Sequence, residues 1–571
     1  MTHQEIRQKF LDFFKQRGHT IVPSSSLLPD DPSVLFTTAG MQQFKPYYTG
    51  QADALKDFGS LNTASIQKCV RTSCIDEVGD DSHLVFFEML GNFSFGGYWK
   101  KEAIQYSYEF ITKQLGLEID YVSVFGGEDQ IPADTESEEI WKSIDPKITI
   151  KKLGREDNFW GPTGNEGPCG PCTEIFVKGI KYEIWNIVFN EFFCSADKKF
   201  TPLKTRGIDT GMGLERLASA VQNKKNIFET DLLEPILKLA PLEPENKVKR
   251  VIADHSRAIA FLISDGVRPS NKEQGYILRR LMRRVITHNF IAKADLTLMH
   301  DIFAKIVETY GQHYPNLNAS SIIYEFDREK EKFEKTLARG LKELEKMPTI
   351  SPAEAFRFYE SFGLPYEIIK DVAGGKAKSL NREGFDEELQ KHQEKSRAGA
   401  EKKFGGHGLL LDTGELKAGN EEELKKATRL HTATHLLHAA LRKILGNDVK
   451  QAGSDITAER LRFDFTFPRK LTPEEIKKID NLVNEAVQKD LPVTKEQMPY
   501  EEALKTGALS FFKLKYPPTV NVYSVGQKDD WFSRELCGGP HVSHTGEIGK
   551  FSIKKEEAVG AGVRRIRATV D

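Results

Sequence analysis

The sequence predicts an α+β protein of several domains. An antiparallel sheet flanked by helices is expected over 1–235, a helical region over 236–395, and a second α+β region with metal ligands over 396–571. Three observations carry this. Short apolar runs with strand alternation, as at 84–89 and 182–189, punctuate the first part between polar or Gly/Pro loops. Long charged stretches with helical phase fill the middle. Near the end, two His/Cys pairs each show i,i+4 spacing, about a hundred residues apart. A chain of 571 residues has room for three or four such domains.

Composition narrows the class. Net charge is −2, so a nucleic-acid partner must be met by local basic surface. No run of about 18 apolar residues occurs, which predicts no membrane span. Residues 1–10 read as the start of an amphipathic helix containing Glu5, and not as a signal or transit peptide. Six cysteines in so long a chain build no disulfide framework, and a reducing cytoplasm suits them.

Taken in order, residues 3–17 form a helix with Ile6, Phe10, Phe13 and Phe14 on one face. Residues 35–41 read as a strand with a turn. The runs 66–71 and 84–89 pair as antiparallel strands around a polar loop that contains His83. Such a pair would set Arg71 and Glu88 on one floor, a cation for a phosphate and an acid for the amino group of a base. A surface hairpin with an ion pair would carry the same residues. Residues 167–174 read as a rigid Gly/Pro loop shaping a pocket. The Cys169-x-x-Cys172 spacing within it lacks a second ligand pair and is assigned no metal. The run 182–189 is a buried strand in which the amide of Asn186 needs a polar partner.

Residues 205–216 concentrate the chemistry. Gly211 and Gly213 let a ligand or a backbone come close. The apolar phase that follows (Leu214, Leu217, Ala218, Val221) puts Arg216 near a helix start, where its fork can grip a phosphate. Asp209 can hold a small ammonium group. A plain glycine-rich turn from strand to helix would look similar. No G-x-x-x-x-G-K-[ST] loop occurs anywhere.

A Pro/Glu linker at 241–245 opens the middle region. Two helices over 249–288, broken at 266–269, carry Arg279, Arg280, Arg283 and Arg284. These make a basic ridge suited to a phosphate backbone, or else a solvated helix face. Residues 326–347 and 386–403 read as charged spacer helices. In the last region His431 and His435 share one helix face, and Cys537 and His541 supply the second pair. Three imidazoles and a thiolate suit Zn²⁺. Four protein ligands would close a structural site, so a structural and a hydrolytic role both stay open.

These motifs resemble, in family order, those of the alanyl-tRNA synthetases of class II. The resemblance implies the class II antiparallel fold, ATP held with Mg²⁺ on the sheet, and L-alanine and tRNA(Ala) as the other partners. Arg71 then corresponds to the arginine on the α-phosphate and Arg216 to its counterpart in motif 3. His83, Phe87, Met89, Gly211 and Gly213 complete the ATP site. Glu88 and Asp209 join the two arginines as catalytic residues. Met89, Trp160, Asn186, Val188 and Asp209 form the alanine pocket. Asn271 and Asp371 correspond to residues that read a G·U pair of the acceptor stem, beside the four arginines. The C-terminal region resembles the editing domain shared with threonyl-tRNA synthetases, with Gln451 and Cys537 as editing residues and His431, His435, Cys537 and His541 as zinc ligands. Such a domain hydrolyses mischarged tRNA, because an alanine pocket rejects glycine and serine poorly.

The sequence departs from that pattern in places. Ser82 stands where an arginine is common, and Pro540 where threonine is. The β-barrel subdomain is missing before the His431 helix, and so are the coiled coil and tRNA-binding domain beyond Asp571. A short, monomeric form is expected. Serine or glycine activation, a non-acylating tRNA-binding paralogue and an editing-only deacylase are the other functions considered. The intact Arg71, Asp209 and Arg216 argue against the last two.

Overall fold

Strand alternation does build a sheet, and its residues belong to a unit larger than the expected first domain. The structure is a computed structural model that describes every residue except 32, 129–130, 242–245, 295–296, 392–415, 418–420, 510–518, 529 and 561. Most of the 241–245 linker, the end of the 386–403 helix, the start of the Gly-rich connector and Ala561 therefore lie outside the described residues. The chain divides into two units, Met1–Leu389 and Gln390–Asp571.

In the first unit, nine strands among the described residues form the sheet. They are β1 (Thr20–Ile21), β2 (Asn62–Val70), β3 (Phe86–Ser94), β4 (Ile119–Phe125), β5 (Ile150–Leu153), β6 (Phe159–Trp160), β7 (Gly167–Val177), β8 (Trp185–Cys194) and β9 (Phe200–Gly213). The order is β1-β2-β3-β9-β8-β7-β4-β5, with β6 paired to β7. The centre is antiparallel, as expected, but β1–β2 and β4–β5 are parallel, so the sheet is mixed. A parallel pair needs a crossover, and the helix Thr135–Ile144 between β4 and β5 supplies one.

One face of the sheet packs on helix α1 (His3–Lys15), which starts with a Thr2/Glu5 capping box. Phe10 and Phe14 of α1 lie 6.2 and 6.3 Å from the Trp185 ring, all three buried. The same unit contains α2 (Leu214–Val221), α3 (Asn246–Ser264), α4 (Glu273–Ile291), α5 (Thr297–Tyr310), α6 (Ala319–Lys346) and α7 (Tyr366–Ala373). Phe261 of α3 stacks on Phe86 of β3 at 4.0 Å. One apolar core runs from Ile6 to Phe385, so the expected first and second regions fold against each other.

Two local expectations change. Residues 167–174 are not a loop but the start of β7, with a register shift between Cys169 and Cys172. A Cβ on Gly170 would lie 1.8 Å from the Phe189 carbonyl oxygen, so this glycine lets the bulged strand press on β8. Residues 35–39 make no strand. They run extended into a 3₁₀ turn at Gly40–Phe44, with Thr37 bonded to Leu27 and Val70 through its backbone.

The second unit has its own core, from Ala427 to Ala568. Its five-stranded sheet runs β10 (Leu416–Lys417), β11 (Gln451–Thr457), β12 (Leu461–Thr466), β17 (Val563–Val570), β16 (Phe551–Gly560). A three-stranded sheet joins β13 (Val493–Pro499), β14 (Thr519–Gln527) and β15 (Asp530–Leu536). Helix α8 (Glu421–Leu445) packs along α9 (Pro473–Gln488) and against β15.

Candidate active site and metal-ligand cluster

The register of the first sheet decides which side chains share a surface. Asn186 pairs with Gly211, Val188 with Asp209 and Glu174 with Asn186, while Met89 pairs with Gly213. Residues paired across strands point to one face, and so do residues two apart along a strand. Phe87, Met89, Glu174, Asn186, Val188, Asp209, Gly211 and Gly213 accordingly line the floor of one cavity of about 450 Å³. Arg71, His83, Trp160 and Arg216 line it too. Of the twelve adenylation residues expected from sequence, all but Glu88 meet here.

Glu88 is the correction. It lies between Phe87 and Met89 on β3, so the pleat turns it to the opposite face. There it is fully buried, paired with Arg7 and accepting a 2.8 Å hydrogen bond from the Tyr314 hydroxyl. It shares no floor with Arg71 and cannot reach a base in the cavity.

The two arginines enter from different elements. Arg71 follows β2 directly, donates from Nε to the Thr38 carbonyl at 3.1 Å and lies 4.9 Å over the Phe87 ring. Arg216 sits in the first turn of α2 and pairs with Glu183 beside the Tyr182 ring. Below it, Glu215 accepts from Arg257 at 2.8 Å and from the Glu88 backbone at 3.3 Å, tying α2 to β3. His83 is held by Asp80 at 2.5 Å. A Cβ on Gly211 would lie 2.9 Å from the Met89 sulfur, whereas one on Gly213 would meet nothing closer than 3.7 Å. Close approach thus requires glycine at 211 only.

Asp209 is 5 % exposed, and burial pushes its carboxyl up to about 8. Glu174, which sequence reading left without a role, accepts 2.9 Å from Asn186 Nδ2. Burial, then the carboxylates of Glu183 and Asp157, push it also to about 8. No signal for it lay in the sequence, because 167–174 read as a loop and its place on the floor follows from the β7–β8 register. The cavity therefore sets two cations against a group of acids (Asp157, Glu174, Glu183, Asp209), an arrangement for a zwitterion beside a phosphate chain.

Only half of the expected basic ridge reaches the surface. On a helix, residues four apart share a face, so 280/284 and 279/283 point in two directions. Arg284 is 1 % exposed and donates to the Ile75 carbonyl at 2.7 Å and to Asp371 at 3.0 Å. Arg280 is buried against Glu367, itself 2 % exposed. Burial would raise the Glu367 carboxyl, but Arg280 outweighs it and holds it to about 2. These two arginines are internal counter-ions and are withdrawn as phosphate contacts. Arg283 and Arg279 both meet Glu329, at 2.9 and 3.2 Å. With Asn271, Tyr276, Tyr359 and the edge of Arg280 they line a smaller cavity of about 220 Å³. Asn271 is exposed and accepts from Arg279. Asp371 is engaged by Arg284 and, at 3.6 Å, by His288.

In the second unit, His431, His435, Cys537 and His541 each offer a ligand atom, all within 4.8 Å of one another. The outer ring nitrogens fix the inner ones. His431 Nδ1 lies 3.0 Å from the Pro540 carbonyl and must donate to it, which leaves Nε2 unprotonated at 3.4 Å from the Cys537 sulfur. The Thr432 hydroxyl donates to the Thr428 carbonyl and so accepts from His541 Nδ1 at 3.1 Å. His541 Nε2 is then free toward Cys537 Sγ at 3.4 Å. Burial, then His435, lowers His431 to about 3, which keeps it neutral as a ligand must be. This donor set fits Zn²⁺. Gln451 opens β11 and donates to Ser454 at 3.1 Å. Cys169 and Cys172 are buried free thiols outside the cluster.

No helix among the described residues is long and apolar enough to cross a membrane. The family profile of class II (A) tRNA synthetases matches residues 5–445, and that of the threonyl and alanyl tRNA synthetase second additional domain matches 520–567. The alanine–tRNA ligase of Borrelia hermsii is 42 % identical over all of this chain and 99 % of its own length. That of Treponema denticola is 43 % identical with the same coverage. The ligase of Fervidobacterium nodosum is 37 % identical and matched over 79 % of its length. The solved pyrrolysyl-tRNA synthetase of Desulfitobacterium hafniense aligns with 40 % of this chain and 72 % of its own at 11 % identity and a TM-score of 0.27. With a profile spanning most of the chain and relatives above 40 % identity from end to end, this chain belongs to the alanyl-tRNA synthetase family of class II.

Proposed function

We propose that the large cavity joins L-alanine to ATP and passes the alanyl group to tRNA(Ala). The observation that carries this is the buried Asp209 carboxyl beside Val188 on a floor that two arginines overlook. Asp209 holds the α-ammonium of alanine, Asn186 faces its carboxylate, and Val188 and Trp160 leave room for a methyl group. The alanine carboxylate attacks the α-phosphorus, an acyl–phosphate bond forms, and pyrophosphate leaves. Arg71 and Arg216 stabilise the charge spread over the phosphate oxygens. Phe87 and Met89 flank the adenine, with His83 at the phosphate side. Asp157 and Glu183 offer the hard oxygen ligands that would hold Mg²⁺ with the nucleotide, where it would neutralise further phosphate charge.

The helices after residue 236 support a role in tRNA recognition, with Asn271 and Asp371 toward the acceptor stem and Arg279 and Arg283 beside them. The second unit is read as an editing module for Ser- and Gly-tRNA(Ala). His431, His435, Cys537 and His541 would hold Zn²⁺, which supplies Lewis acidity or a fixed scaffold there. Gln451 and Cys537 are its proposed editing residues. Pyrophosphate exchange with alanine, serine and glycine tests the first reading: alanine should give the highest kcat/KM. Equal rates for all three, or none, would overturn it.

A further inference from the structure

Behind the four proposed zinc ligands lies a buried dyad that the readings above do not use. Glu535 on β15 is 7 % exposed, and His438 on α8 is 6 % exposed. His438 lies three residues beyond His435 and seven beyond His431, so all three share one helix face. Its Nδ1 is 2.9 Å from Glu535 Oε1, and the Ser533 hydroxyl donates to the same oxygen at 3.3 Å. Both bonds fall on Oε1. The other oxygen, Oε2, lies 3.6 Å from Nδ1 of His435.

Among the described residues, His435 is also the ligand whose outer nitrogen has neither a carbonyl nor a hydroxyl of the kind that serves His431 and His541. Charge points the same way. Three neutral imidazoles and one thiolate leave a divalent ion with one positive charge uncompensated in a buried place, and such charge requires a counter-ion.

We propose that Glu535, fixed by His438, is the positioning residue of the metal centre. Its Oε2 faces Nδ1 of His435 at an ion-pair distance of 3.6 Å, which favours the proton on Nδ1 and leaves Nε2 for the metal, and its charge brings the site to neutrality. The chain His438–Glu535–His435 is then a carboxylate–histidine support of the kind that tunes zinc sites. The inference rests on reading the four ligands as a zinc site.

The test uses the full chain, with zinc affinity measured by chelator competition and the ligand field read from the Co²⁺-substituted protein. Glu535→Gln should weaken zinc binding about 10–100-fold and shift the Co²⁺ absorption bands. The melting temperature of its metal-free form should fall by less than that of its zinc-bound form, which loses the counter-ion of the metal as well. His438→Phe should weaken zinc in the same direction, and Glu535→Asp, which keeps the charge, should recover part of the loss. Zinc affinity in Glu535→Gln within about twofold of wild type, with unchanged bands, overturns the proposal and leaves the zinc reading standing. A metal-free form destabilised as much as the metal-bound one assigns Glu535 to packing alone and overturns it too. A wild-type chain that takes up no zinc overturns both.

Discussion

On the proposed reading, Asp209 is the residue that takes the ammonium group of the substrate. A carboxyl held neutral up to about pH 8 by burial must lose its proton before it can bind an ammonium group. Alanine affinity should therefore fall about tenfold per pH unit below 8, a slope read as KM for alanine in pyrophosphate exchange between pH 6 and 8. Glu174 titrates in the same range, so the control is Glu174→Gln, in which the slope should persist. Asp209→Asn should abolish the slope and cost roughly 10²–10³-fold in kcat/KM, the loss of a buried charge pair worth about 3–4 kcal/mol. The linkage to stability has the opposite sign to that of a salt-bridged acid. The folded pKa lies above the unfolded one, so ionisation costs folding energy as pH rises from about 4 to 8. The ligand-free enzyme should lose thermal stability across that window, and Asp209→Asn should flatten part of the loss. A wild-type melting curve independent of pH from 5 to 8 would contradict the burial of this charge.

At the scale of elements, the arginines of α4 divide between core and rim. Arg280→Ala would leave the 2 %-exposed Glu367 with Arg382 as its remaining direct partner at 2.8 Å, at a cost below the roughly 3–5 kcal/mol of a fully broken buried pair, readable as a shift of the urea midpoint. Arg280→Met combined with Glu367→Gln should recover most of it. In that double variant, the dependence of tRNA affinity on salt should match wild type, because Arg280 meets no phosphate. A slope shallower by about one would return Arg280 to the surface. Sequence alone could not separate these roles. The spacing 279/280/283/284 gives helical phase, but which flank faces inward depends on carboxylates 46 to 87 residues away in Glu329 and Glu367. The same limit hid Glu88, whose neighbours Phe87 and Met89 already implied the other face. The start of α2 was legible because its chemistry is local: the glycines, the arginine and the apolar phase all lie within 211–221. Glu174 and Glu535 were not, because their roles arise from register and burial.

For the molecule as a whole, two separate cores allow two separately removable activities. The first spans Ile6 to Phe385 and carries the cavity proposed for adenylation, while the second spans Ala427 to Ala568 and carries the ligand cluster. The three regions read from sequence reduce to two here, because Phe86 and Arg257 weld the helices after residue 246 to the sheet. A zinc chelator should therefore lower the melting transition of the second unit and leave the first in place. Alanine-dependent pyrophosphate exchange should stay within about twofold of the untreated rate, while hydrolysis of Ser-tRNA(Ala) falls by an order of magnitude or more. Calorimetry with and without chelator, run beside both assays, separates the possibilities. If exchange and hydrolysis fall together, the metal centre supports the fold of both units. If hydrolysis survives full removal of zinc, the cluster is structural scaffolding that the second unit can do without.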